Sequence, residues 1–252
     1  MKTSWGGVAD WYDKVVNDED SYQSQVVLPY ILRLITPKRG DNILDLACGQ
    51  GFFSHALAAE GARVTGVDIA PELIDIARTH AMHNQEFFVS SADDLRAFRD
   101  KSFDAALCIL AIQNIESMGK AFKEVARVLK TGGKFVLVLN HPAFRIPNKS
   151  SWGFDEKTNS QYRRVDEYVS ESRSAIDMHP GQDAEGKKEL TYSFHRPIQG
   201  YSKALANAGF VIARIEEWMS HKESEKGPRK QAEDKARKEF PMFMCIECVK
   251  SY

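Results

Sequence analysis

The chain has 252 residues, 43% of them hydrophobic and 27% charged, the make-up of an ordinary globular protein long enough for one sizeable core. Lys and Arg number 34 against 35 Asp and Glu, a net charge of −1, so the chain as a whole exerts no long-range pull on nucleic acid or an anionic membrane. No apolar run approaches the roughly 20 residues that span a bilayer, the first residues lack the apolar stretch of a secretory leader, and Cys48, Cys108, Cys245 and Cys248 show no small-disulfide-domain spacing, which together give the expectation of a reducing, cytoplasmic setting.

Residues 40–140 alternate between short apolar runs and helical patterns. Asn42 to Ala47 reads as a first strand, followed by Gly49 and Gly51. Phe52, Phe53, Ala56, Leu57 and Ala59 then repeat at helical spacing until Gly61, a residue suited to ending a helix. Arg63–Asp68 reads as a second strand. Pro71 opens a helix continued by Leu73, Ile74, Ile76 and Ala77. A third strand is expected at Glu86–Val89, a fourth at Phe103–Ile109 and a helix around 117–130. Lys130–Gly133 reads as a turn into a fifth strand, Lys134–Asn140. Strands that are nearly all apolar and alternate with helices imply a parallel sheet covered on both faces.

Residues 141–195 break the rhythm, being polar and aromatic with few apolar runs; they read as an insertion over the sheet on the substrate side. The alternation resumes in 196–252, which completes the sheet with a helix near 199–208, a strand at Phe210–Trp218 and a last strand from about Phe240 to Val249. Between them, residues 221–240 carry seven Lys or Arg and five Asp or Glu, the pattern of a solvated helix or loop. The fold class expected is α/β: a doubly wound, Rossmann-like sheet in a single domain, with an insertion that serves as a lid.

The chemistry is concentrated in Ile43-Leu44-Asp45-Leu46-Ala47-Cys48-Gly49-Gln50-Gly51 and the strand after it. Gly49 and Gly51 make a tight strand-to-helix turn where backbone can approach a ligand. Asp68 ends the next strand, 17 residues after Gly51, where an acid can accept hydrogen bonds from both hydroxyls of a ribose. A pyrophosphate binder wants G-x-G-x-x-G, but Ser54 stands at the third glycine. Asp45 would repel a pyrophosphate and suits a ligand bearing an ammonium group. One ligand, S-adenosylmethionine, accounts for both acids and the glycines.

This segment resembles motif I of the class I S-adenosylmethionine-dependent methyltransferases, Asp-x-Gly-x-Gly-x-Gly, with Ala47 at the first glycine. The resemblance runs on through Val67-Asp68-Ile69-Ala70, similar to the ribose-binding strand end. It continues in Ser90-Ser91-Ala92-Asp93-Asp94-Leu95, similar to the adenine-binding loop, with Ser91 at the usual Asp and Asp93 or backbone left to meet the adenine amino group. Phe103-Asp104-Ala105-Ala106 and Leu129–Lys134 match later motifs. The family fold implies seven strands, the last antiparallel, and a cofactor site that adds Ile69 and Ile109 as walls. In relatives a segment like Trp11-Tyr12-Asp13 folds over the cofactor, so Tyr12 is a further candidate.

Other residues are weighed on position. His141 leaves the fifth strand at its carboxyl end, where such folds bind ligands, and is a candidate general base; the alternative is a histidine that only closes the pocket. His195, before the helix at 199, is a second candidate. Gln113 and Asn114 follow the fourth strand and either line the acceptor site or cap a helix. Trp152, with Phe154, Tyr162 and Tyr168, either covers an apolar acceptor or packs the insertion. Cys245 and Cys248 lack the second pair of a four-ligand zinc site and, three apart in a strand, face opposite sides, as structural thiols do. The expectation is methyl transfer by in-line displacement to a small-molecule acceptor. A protein or RNA acceptor, a nicotinamide-dependent oxidoreductase and a non-catalytic binding module are the rivals.

Overall fold

The structure is a computed structural model that describes residues 18–178 and 190–251, together with Trp5, Gly7 and Val16. A π-helical turn, Gln23–Val27, runs into helix α1 (Leu28–Ile35). Then come β1 (Asn42–Leu46), α2 (Phe52–Ala59), β2 (Arg63–Asp68), α3 (Pro71–Thr79), β3 (Gln85–Val89) and β4 (Phe103–Ile109). Helix α4 (Met118–Val128) leads into β5 (Leu129–Asn140).

The strands form one seven-stranded sheet in the order β10-β11-β5-β4-β1-β2-β3, completed by β10 (Phe210–Trp218) and β11 (Phe243–Lys250). Pairs among β1 to β5 are parallel, and β11 runs antiparallel to both β5 and β10. This is the doubly wound, mostly parallel sheet expected, with its antiparallel last strand. Its central strands are mostly apolar because helices cover both faces, Asp45 in β1 and Asp104 in β4 being exceptions. On one face α4 and α5 (Ile198–Asn207) bury Phe122, Val125, Tyr201 and Leu205 against Phe135 and Leu137. On the other, α1 and α2 bury Ile31, Leu34 and Leu57 against Ile43, Val136 and Val138. Alternate strand residues thus serve opposite cores. Cys245 belongs to the second core and Cys248 to the first, and all four cysteines are free and buried.

Two stretches differ from the reading of the sequence. β5 begins at Leu129, not at 134: the Lys130–Gly133 segment continues the strand, and the register against β4 shifts between Phe103 and Ala105. Residues 141–195 hold two antiparallel hairpins, β6 (Ser150–Asp155) with β7 (Ser160–Val165) and β8 (Ser172–Asp177) with β9 (Leu190–His195). Their half-buried strands carry too few apolar residues to announce themselves. The β6–β7 hairpin packs on α6 (Lys230–Glu239), the helix within the charged 221–240 stretch, whose one buried residue is Ala236. Among the described residues no helix is long and apolar enough to cross a membrane.

Glycine has a steric duty at Gly66 in β2, where a β-carbon would lie 2.5 Å from the Phe87 ring and 2.9 Å from Cys48 Sγ. Gly119, exposed in the first turn of α4, has nothing within 4 Å of the same position. Gly66→Ala should therefore destabilise by about 1–3 kcal/mol through overpacking. Gly119→Ala should stabilise by about 0.5–1 kcal/mol by restricting the unfolded chain. Urea unfolding of the two variants checks both signs.

Candidate functional site

The carboxyl ends of β1, β2 and β4 open onto a cavity of about 300 Å³, the size at which small-ligand sites begin. Two left-handed turns shape it. After β1 the backbone doubles back through Ala47 (φ 57°), Gly49 (φ 56°) and Gly51 (φ 87°) into α2. Gly49 reaches the cavity wall, whereas Gly51 works by conformation: a β-carbon there would press on the Phe87 ring at 3.1 Å. Ala47 holds its left-handed backbone as a non-glycine residue, a strain of about 1–2 kcal/mol. After β4 the chain again turns through the left-handed region, at Leu110 (φ 54°).

Asp45 and Asp68 end their strands inside this cavity and are 1% and 8% exposed. Asp68 is held from two sides: its Oδ2 accepts the Gly49 N–H at 3.0 Å and its Oδ1 the Ala70 N–H at 2.9 Å. Asp45 Oδ2 accepts the Ser54 hydroxyl at 2.6 Å. That bond gives a reason for serine at the position where a dinucleotide turn would carry its third glycine. Among the described residues neither carboxylate has a cationic partner. Burial therefore pushes Asp45 up to about 7, the neighbouring Asp68 adding to the effect against the Ser54 bond. Burial also raises Asp68, against the bonds from Ala70 and Gly49. Two buried acids without a counter-cation form a site that an incoming cation completes.

Around them lie most of the other residues expected from the sequence. Ala47, Ile69 and Ile109 line the wall. Ser91, Ala92 and Asp93 line the rim after β3, and the Ser91 hydroxyl donates to Asp93. Asn114 lines the side after β4, while its neighbour Gln113 turns away to donate to the Leu110 carbonyl at 2.6 Å. Gln50 and Phe52 line the cavity too and were not singled out from the sequence, though the glycine turn that contains them was. Among the described residues the buried Gln50 side-chain nitrogen has no hydrogen-bond partner, so it can offer the cavity a donor. Trp5 and Gln23 add an N-terminal wall that no spacing marked.

The remaining candidates are placed elsewhere. His141 is 1% exposed and does not line the cavity. Its Nδ1 accepts the Ala143 N–H at 3.2 Å, which leaves Nε2 to donate to Glu217 Oε1 at 2.7 Å. Burial lowers its pKa, against the pull of Glu217. His195 is also outside the lining; its Nε2 meets the Tyr168 carbonyl at 2.8 Å, fixing the β9 end to the preceding loop. Trp152 sits edge-on to Phe240 at 5.4 Å, with the Arg163 guanidinium 5.0 Å above its ring, and so packs the insertion near the end of α6. Tyr12 lies outside the described residues.

Residues 44–137 match the family model for a methyltransferase domain. The chain is 38% identical over 101 residues to a ubiquinone biosynthesis O-methyltransferase of Xanthomonas oryzae, covering 39% of this chain and 42% of that one. It is 36% identical over 119 residues to the Xylella fastidiosa protein of the same name, covering 46% and 48%. The chain thus spans under half the length of these curated relatives. A Listeria monocytogenes protein assigned to the S-adenosylmethionine-dependent methyltransferases superposes with a TM-score of 0.68 at 26% identity, over 88% of this chain and 97% of that one. A methyltransferase from Mesorhizobium loti shares the fold, with a TM-score of 0.69 at 24% identity over 88% and 96%. Residues 44–137 thus match a methyltransferase domain, and the fold is the class I, Rossmann-like one of the S-adenosylmethionine-dependent methyltransferases. Its site fits that cofactor: the ligand's ammonium and sulfonium charges answer the unpaired buried acids.

The raised Asp45 pKa fixes a pH dependence. An unfolded Asp titrates near 3.9, so from about pH 4 to about pH 7 the folded protein holds a proton the unfolded chain has lost, and stability falls as pH rises. Asp45→Asn should flatten that decline. Melting temperatures of the ligand-free protein and the variant between about pH 5 and pH 7.5 test it; equal slopes would refute the burial argument.

Proposed function

We propose that the protein moves a methyl group from S-adenosylmethionine to a small-molecule acceptor. The observation that carries this reading is the pair of buried, cation-less acids flanking the glycine turn. Asp68, held rigid by two backbone donors, keeps lone pairs free for the ribose hydroxyls. Asp45 faces the ammonium end, and the start of α2 lets backbone N–H groups approach the ligand's carboxylate. Ile69 and Ile109 supply apolar walls, and the Ser91–Asp93 segment supplies polar atoms for the adenine edge. When bound, the cofactor supplies an activated methyl group on a positive sulfur that departs as a neutral thioether.

Such a leaving group needs little covalent help, so orientation is the main task of the protein. Neither His141 nor His195 lines the cavity, which places the weight on positioning by the wall after β4, where Asn114 stands. The names of the curated relatives support a hydroxylated small molecule as acceptor.

Isothermal titration with S-adenosylhomocysteine tests the cofactor roles. Each charge-assisted hydrogen bond contributes about 1.5–3 kcal/mol, so Asp68→Ala should weaken binding about 100-fold or more. Asp68→Glu, which keeps the charge but shifts its oxygens, should fall between. Wild-type affinity in Asp68→Ala would remove the ribose assignment. Release of S-adenosylhomocysteine with a panel of phenolic acceptors tests the transfer, and silence with every acceptor would count against it.

A further inference from the structure

One side chain of the glycine turn is left without a partner by the protein around it. Gln50 stands between Gly49 and Gly51 and lines the cavity. It is 4% exposed, and among the described residues its side-chain nitrogen has no hydrogen-bond partner. An amide buried in that state has given up water and gained nothing in return. The other buried polar side chains of the turn are bonded: Ser54 to Asp45, and Asp68 to the Gly49 and Ala70 N–H groups. Gln50 is the exception, and it stands at the wall of a cavity.

The charges around that cavity identify the group it would meet. The amino-acid tail of S-adenosylmethionine carries an ammonium and a carboxylate on one carbon atom. The ammonium finds acids. The carboxylate finds no cation, because the described residues that line the cavity include Asp45, Asp68, Asp93 and Glu116 but no lysine, arginine or histidine. Much of the backbone of the turn is also spent. The Cys48 N–H donates to the Val67 carbonyl at 3.0 Å and the Gly51 N–H to the Cys48 carbonyl at 3.0 Å. The Gly49 N–H donates to Asp68 at 3.0 Å. Donors still open on this side include the Gln50 amide and the first N–H groups of α2.

Position favours Gln50 over the other amides of the lining. Gln23 belongs to the N-terminal wall and Asn114 to the wall after β4. Gln50 lies in the same strand-to-helix unit as Asp45, the acid that faces the ammonium, so it adjoins the end of the ligand that bears both charged groups. Its neutrality also suits the site. A lysine or arginine here would pair with the buried acids and fill their need for a cation before the ligand arrived, whereas an amide donates without neutralising them.

We propose that the Gln50 side-chain amide donates to the carboxylate of the cofactor's amino-acid tail, as a neutral donor where the cavity holds no cation for it. The assignment rests on the S-adenosylmethionine reading of the site.

The test is calorimetric titration of two ligands into the wild type, Gln50→Met and Gln50→Asn. One is S-adenosylhomocysteine. The other is S-adenosyl-3-thiopropylamine, the same molecule without its carboxylate. Gln50→Met keeps the length of the side chain and removes the donor. It should weaken S-adenosylhomocysteine about tenfold or more, and change the decarboxylated ligand by less than about twofold. Gln50→Asn, which keeps the amide on a shorter stem, should fall between. Melting temperatures of the ligand-free protein separate binding from packing: Gln50→Met should melt no lower than the wild type, since the variant loses no hydrogen bond. Wild-type affinity for S-adenosylhomocysteine in Gln50→Met, or an equal loss for both ligands, would overturn the proposal. A wild type that binds neither ligand would instead remove the cofactor reading on which the proposal stands.

Discussion

Two carboxylates kept out of water without a cation of their own set the terms for everything around them. A buried carboxylate is costly unless it is bonded or neutralised. Here the protein supplies part of the answer: Gly49 and Ala70 on Asp68, Ser54 on Asp45. The rest is left to the ligand. The free protein therefore holds an electrostatic deficit shaped to one kind of guest, and the same deficit disfavours a pyrophosphate on the same turn.

Holding that deficit requires the surrounding backbone to stay where it is. Left-handed residues stand on both sides of the cavity, Ala47 and Gly49 before α2 and Leu110 after β4. Non-glycine residues persist in such conformations only where their surroundings determine them. The sheet does so through the parallel pairing of β1 with β2 and β4, which fixes Asp45 opposite Gly66 and Leu107. The wall after β4 is braced from far along the chain: Arg196 donates to the Ile115 and Glu116 carbonyls at 3.0 and 2.8 Å.

The cofactor end was legible because its logic is local. A strand, a glycine turn, a helix and a second acid all fall within Ile43–Asp68, and each residue type there answers one physical need. The order of β1 to β5 and the direction of β11 followed from the same pattern and the family it resembles. The acceptor end was not legible, because its side chains are aimed by partners distant in sequence. His141 leaves the fifth strand where a base would, yet Glu217 on β10, 76 residues on, turns its ring aside. Trp152 reads as a cover for an apolar guest, yet the hairpin register sends it to Phe240. Spacing along the chain carries no record of such pairings.

The position of β11 has a consequence for how the chain is made. This strand fills the slot between β5 and β10, pairing Phe243 with Asn140 and Val249 with Lys134. On the ribosome, β1 to β5 emerge and can assemble long before it, leaving Phe135–Leu139 with an open backbone edge and apolar side chains on both faces. Such an edge invites pairing with other chains. During synthesis the nascent protein is thus most exposed to aggregation in the interval between residue 140 and residue 250, and that hazard ends only when β11 arrives.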